Sequence, residues 1–187
     1  MPRPLPLLLL LALAATACAR ATSTTVVMLV RHAEKASETD TDPALSASGQ
    51  ARARALAETL ADAGVSAVVV TQRRRTGDTA APLTAARGLV PDTVPIGGPV
   101  ASHAAAVAER IRARHLGGTV LVVGHSNTVP PIMAALGARP LPDICDGTYD
   151  QLFILVLRNG VADGLTRARF GAASPAGGAD CTGMQAR

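Results

Sequence analysis

"VVMLVRHAEKA", residues 26–36, runs five apolar residues straight into an arginine and a histidine, with a glutamate and a lysine close behind. Val26 to Val30 are uncharged and mostly β-branched, which marks a short buried strand. No glycine or polar turn separates that strand from Arg31 and His32. A cation and an imidazole are therefore held side by side where a buried strand meets solvent. Two more runs behave alike: "VSAVVV" (65–70) precedes Arg73, Arg74 and Arg75, and "TVLVVG" (119–124) precedes His125, Ser126 and Asn127. "QLFILVL" (151–157) reads as a last strand.

Helical patterns fill the intervals. Ser46 is a fitting N-cap for a helix over 47–63, whose apolar Ala53, Leu56, Ala57 and Leu60 recur at helical spacing and which Gly64 stops. Further helices are expected over 74–86, shortened or bent by Pro82, over 101–116, closed by Gly117 and Gly118, and over 128–136. Residues 88–99 are turn-rich, with room for a minimal strand. Strands alternating with helices predict an α/β fold, a three-layer sandwich with a mostly parallel central sheet and helices on both faces. In such a sheet the carboxyl ends of the strands share one edge, where ligands bind. The three polar clusters then meet in one pocket.

Composition narrows the ligand. The chain has 187 residues, enough for one domain, and a net charge of +4. With two phenylalanines, one tyrosine and no tryptophan there is no platform for stacking bases, so nucleic acid is a poor partner. Residues 5–17 are an apolar run too short for a spanning helix, ending in Ala15-Thr16-Ala17 before Cys18. This resembles a bacterial lipoprotein signal, with residues 1–17 removed and Cys18 lipidated as a membrane anchor; plain secretion with an incidental Cys18 is the alternative. The expected location is the periplasm, at the outer membrane if lipidated. Residues 18–25 would be a tether, and 26–170 the domain. The tail from 171 is expected to be loose. Cys145 and Cys181 are expected to pair as a disulfide in that oxidising compartment. No histidine spacing suits a metal.

A pocket of arginines and histidines without an acid cluster suits a phosphoryl group. Guanidinium forks match phosphate oxygens, and neighbouring cations keep an imidazole neutral and nucleophilic. Four segments carry a resemblance to the histidine phosphatase superfamily, the phosphoglycerate-mutase-like fold. "LVRHAEK" (29–35) is similar to its Arg-His-Gly/Ala signature, and "LSASGQARA" (45–53) to its Leu-Ser/Thr-x-x-Gly helix start. "RTGDTA" (75–80) resembles its second-arginine segment and "VLVVGHSNTV" (120–129) its second-histidine motif. The resemblance implies catalysis by His32, Arg31, Arg75 and His125. Lys35, Ser126 and Asn127 are expected to bind a small phosphorylated substrate. It implies no cofactor and no metal, and leaves the oligomeric state open.

The activity so implied is phosphomonoester hydrolysis through a phosphohistidine. A mutase-type phosphotransferase and a non-catalytic, envelope-anchored anion-binding module are the alternatives. The stretch where the mutases of the family carry a proton-donating glutamate reads "GLVPDTVPIGGP" (88–99) and holds none. Asp92, His103, Glu34, Asp143 and Asp146 are the nearest substitutes, and no dedicated acid is expected. Glu34 is expected to pair with Arg31 or Lys35, Arg52 and Arg54 to face solvent, and Arg73 and Arg74 to sit on the rim.

Overall fold

The structure, a computed structural model, describes residues 23–174. The signal segment 1–17, Cys18 and Cys181 lie outside the described residues.

Strand β1 (Thr24–Arg31) is the sheet's axis. Parallel to it run β4 (Thr119–Gly124), β2 (Val65–Val70) and the two-residue β3 (Asp92–Thr93). On its other side β5 (Gln151–Arg158) pairs antiparallel, followed by antiparallel β6 (Val161–Arg169), giving the order β3-β2-β4-β1-β5-β6. The sheet is thus mostly parallel, as expected. β6 was not anticipated, because "VADGLTRAR" has no apolar run and all but one of its residues are exposed. An edge strand paired on one side only needs no buried face. Asn159 (φ 52°) and Gly160 (φ 80°) make the two-residue turn into it, and Asn-Gly is the strongest short hairpin signal in a sequence.

Helices cover both faces. α1 (Ala47–Thr59) and α2 (Arg74–Arg87) pack with Met28, Val30, Leu121 and Val123 through Leu56, Leu60, Ala80 and Leu83. α3 (Val100–Arg114) and α4 (Val129–Ala135) cover Val27, Leu29, Val120 and Val122 through Val107, Ile111, Ile132 and Met133. Alternate residues of each central strand thus feed opposite cores, which is why those strands are apolar throughout. Two details differ from the sequence reading. α1 ends at Thr59, with Leu60 as its cap, and turns carry the chain to Gly64 (φ 65°). α2 runs through Pro82 without shortening, anchored on either side by buried Ala80 and Leu83.

The Leu-Ser-x-x-Gly start of α1 has a steric origin. Ser46 caps the helix through Gly49 N–H (3.1 Å), while its own N–H donates to Glu34 O (2.9 Å). The first turn therefore lies on the backbone of the loop after β1. A Cβ at Gly49 would sit 2.2 Å from Glu34 O, so only glycine fits. Arg52, expected in solvent, is buried instead (5 % exposed) and binds Glu34 with Nε and Nη2 at 2.7–3.0 Å. Glu34 thus pairs with Arg52 rather than with Arg31 or Lys35. Arg52 Nη1 also donates to Phe170 O and Ala172 O, and Ser174 Oγ accepts from Tyr149 N–H. Residues 171–174 are consequently tied down rather than loose.

Candidate active site

The seven residues expected to catalyse or to bind substrate line one cleft. Its volume is about 400 Å³, and Arg31, His32, Lys35, Arg75, His125, Ser126 and Asn127 all line it. The reason is topological: β1, β2 and β4 are parallel and adjacent, so Arg31-His32, the start of α2 and His125 emerge at the same edge. Arg73 lines the cleft as well, whereas Arg74 leans out toward Asp78 (3.2 Å). A second cleft, of about 330 Å³ between α1 and α2, contains no histidine, cysteine or serine among its lining residues.

His32 is 4 % exposed, and its Nδ1 lies 2.8 Å from Ala33 O. A carbonyl only accepts, so Nδ1 carries the proton and Nε2 keeps a lone pair. The Ala33 N–H is itself held by Thr79 Oγ1 (2.9 Å), which fixes the loop that fixes the ring. Burial pushes the His32 pKa down to about 3, and Arg31, Arg75 and Lys35 push in the same direction against the Ala33 hydrogen bond. The ring is neutral at any ordinary pH.

His125 stands edge-on to His32, with ring centroids 5.2 Å apart and planes at 64°. Arg75 Nη2 donates to its Nδ1 (3.4 Å), so Nε2 carries the proton and donates to Thr71 Oγ1 (3.2 Å). Thr71 continues to Thr76 Oγ1 (3.1 Å), and Thr76 Oγ1 donates to Arg73 O (2.8 Å). Burial first, then His32 and Arg75, lower the His125 pKa to about 3. Sequence reasoning missed Thr71, the residue directly after β2.

Arg31 is nearly buried (5 % exposed) and held by the loop before β5. Its Nη1 donates to Cys145 O (2.9 Å) and Asp146 O (2.5 Å), and its guanidinium lies 4.2 Å from the Tyr149 ring. That tyrosine is the chain's only one. Asp146 Oδ1 approaches Arg31 Nη2 at 3.4 Å, which places on the cleft a loop that the sequence left unplaced. Arg31 Nε and Arg75 Nε are both buried without a hydrogen-bond partner among the described residues. Buried orphan donors of this kind are costly unless a ligand uses them. Two guanidinium donors flanking a neutral imidazole fit a tetrahedral oxyanion.

Asp92 and His103 do not line the cleft. Asp92 is bound by Arg110, with His115 Nε2 3.5 Å from its other oxygen, and buried His103 faces Pro95 O with Nδ1 (3.2 Å). Lys35 is engaged by Glu38 (2.5 Å) at the cleft edge. Cys145 is buried and disulfide-bonded; its expected partner, Cys181, lies outside the described residues. Among the described residues no group of three or more His, Cys, Asp or Glu could hold a metal.

The lowered histidine pKa values make stability pH-dependent. Between pH 6.5 and about 3 the unfolded chain binds protons at His32 and His125 that the folded protein refuses. Stability is full above the unfolded value and falls as pH drops, with a slope of up to about 1.4 kcal/mol per pH unit for each histidine. His103, lowered by burial, acts in the same direction. The urea midpoint should fall between pH 7 and pH 5, and His32→Asn should flatten the trend. An unchanged midpoint would contradict the buried neutral rings.

The model of the histidine phosphatase superfamily (branch 1) matches residues 27–95, which include His32 and Arg75. Comparison with curated protein sequences finds no match. Among solved structures the fold is similar to a mycobacterial glucosyl-3-phosphoglycerate phosphatase, at 18 % identity and TM-score 0.63 over 80 % of this chain and 100 % of that one. It is also similar to the protein histidine phosphatase SixA complexed with tungstate, at 19 % identity and TM-score 0.59 over 80 % and 96 %. A structure described as mycobacterial hydrolase 2 aligns at 19 % identity and TM-score 0.62 over 83 % and 94 %. At these identities the likeness concerns the fold.

Proposed function

We propose that the chain is a member of the histidine phosphatase superfamily, as the family model's match to residues 27–95 supports, and that it hydrolyses phosphomonoesters through a phosphohistidine at His32. The observation that carries this reading is the ring's fixed tautomer: Nδ1–H is committed to Ala33 O, so Nε2 is the nucleophile. Nε2 attacks phosphorus, a P–N bond forms, and the P–O bond to the leaving group breaks. Arg31 and Arg75 stabilise the charge on the equatorial oxygens. The Ala33 carbonyl steadies the imidazolium product through Nδ1–H. Water then attacks the phosphoryl group, releasing phosphate and restoring the neutral ring. His125 positions Arg75 through the 3.4 Å contact.

The leaving oxygen needs a proton unless it departs easily, and general-acid help contributes roughly 10²–10⁴-fold. Asp146 is the one carboxylate among the residues lining the cleft, but its side chain is 96 % exposed and turned to Arg31. Aryl phosphates should therefore be cleaved at least tenfold faster than simple alkyl phosphates, and Asp146→Asn should change both rates alike. A tenfold loss confined to alkyl substrates would instead make Asp146 the acid. Absence of hydrolysis of any phosphomonoester by the purified protein would defeat the proposal itself.

We further propose that the substrate is extracytoplasmic, with Cys18 as the lipid anchor. The sequence of residues 1–18 supports this reading. Wild-type protein should then partition with membranes and Cys18→Ser should not; recovery of both in the soluble fraction would leave simple export.

A further inference from the structure

Arg73 breaks a local rule without a local return. It is the N-cap of the 14-residue α2, where its side chain makes no capping bond. Ser, Thr, Asp and Asn are the residues that stabilise this position, and positive charge opposes the helix dipole there. Arg74 and Arg75 follow it, and the first turn has no acidic residue. Each neighbour has a compensating partner: Asp78 at 3.2 Å for Arg74 and Asp42 at 3.7 Å for Arg75. The Arg73 side chain has no ion pair or hydrogen bond among the described residues, yet it lines the cleft.

Its backbone is held in place. Arg73 N–H donates to Thr71 Oγ1 (3.2 Å), and Arg73 O accepts from Thr76 N–H (3.0 Å) and Thr76 Oγ1 (2.8 Å). The guanidinium thus projects from a fixed point beside Arg75, near enough that its charge opposes protonation of Arg75. A phosphomonoester carries a charge of about −1.5 to −2 at neutral pH. Arg31 and Arg75 match that charge between them. Arg73 is a third guanidinium in the same cleft, exposed, with no carboxylate of its own. Conflicts between local preference and actual residue tend to fall at functional positions.

Resting on the phosphatase reading, we propose that Arg73 forms a second anion subsite and that the preferred substrates are phosphomonoesters whose leaving group carries a further negative charge, a second phosphate or a carboxylate, next to the scissile phosphoryl group. Ile96 and Val100 also line the cleft and supply no charge to a leaving group.

The test compares the full-length protein with Arg73→Gln and with Arg74→Gln, which removes a neighbouring charge outside the cleft. Binding is read first, with inorganic phosphate and pyrophosphate as probes. Wild type and Arg74→Gln should bind pyrophosphate about tenfold or more tightly relative to phosphate, as a charge-assisted hydrogen bond allows. Arg73→Gln should bring the ratio close to one, and Arg73→Lys should restore part of it. Turnover is read second, on carboxyphenyl phosphate against its carbamoylphenyl isostere and on propanediol bisphosphate against propyl phosphate. The pair with the larger Arg73-dependent kcat/KM ratio identifies carboxylate or phosphate as the second group. A binding ratio that Arg73→Gln leaves unchanged, or that Arg74→Gln lowers equally, would overturn the subsite. A preserved binding preference without turnover of any ester would overturn the phosphatase reading and leave the subsite standing.

Discussion

Replacing His32 by alanine should abolish turnover, with a loss of at least about 10³-fold; removing the nucleophile of a hydrolase that acts as a unit can cost about 10⁶-fold. The expectation follows from geometry. His32 is the cleft imidazole whose Nδ1 is locked on a carbonyl, at 2.8 Å from Ala33 O, and whose other nitrogen is unprotonated. By contrast His125 has both ring nitrogens engaged, by Arg75 and Thr71. His125→Ala should therefore slow turnover less, by disturbing Arg75, and let a phosphoenzyme persist. His32 is buried, so folding must be checked. His32→Asn supplies an amide in its place, and its melting temperature separates lost chemistry from lost structure. A folded His32→Asn or His32→Ala protein that keeps a tenth of wild-type kcat/KM would remove His32 from the reaction.

Arg75→Met should lower kcat/KM by about 10²–10³-fold, the cost of one preorganised donor to a developing oxyanion. Arg75 gives the cleaner measurement of the two arginines. Arg31 spends Nη1 on the carbonyls of Cys145 and Asp146, so its loss would also release the loop before β5. Among the described residues, Arg75 keeps a buried, unpartnered Nε and its side chain makes only long polar contacts, 3.4 Å to His125 and 3.7 Å to Asp42. Lysine at this position should recover little, because an ammonium cannot reproduce the planar fork. The loss should fall on kcat as well as KM, since charge spreads further in the transition state than in the bound ester. A change below fivefold would place Arg75 off the phosphoryl group.

What the sequence made legible was the part written in apolar runs. β2 and β4 coincide with the expected 65–70 and 119–124, because strands buried on both faces leave continuous β-branched stretches. From their parallel order the shared edge followed, and with it the meeting of Arg31, His32, Arg75 and His125. β6 escaped because an edge strand with exposed faces has no such run, although Asn159-Gly160 announced its turn. Arg52 escaped for a different reason. Its helical position resembled a solvated face, and only the approach of α1 to the Glu34 backbone, permitted by Gly49, buries it. Tertiary proximity also explains Asp146, Tyr149 and Thr71. Asp146 lines the cleft, and Tyr149 and Thr71 contact its Arg31 and His125 from loops, contacts that no spacing along the chain encodes.

The central claim is that phosphorus is transferred to His32 Nε2 before water receives it. Wild-type protein turning over an aryl phosphate labelled at phosphorus, quenched in alkali within one turnover and digested, tests it directly. The label should sit on the peptide bearing His32, stable to base and lost in acid as a phosphoramidate is, and should be more abundant in His125→Ala. A label on His125 or on any oxygen side chain, or turnover with inversion of configuration at phosphorus and no labelled peptide, would contradict it.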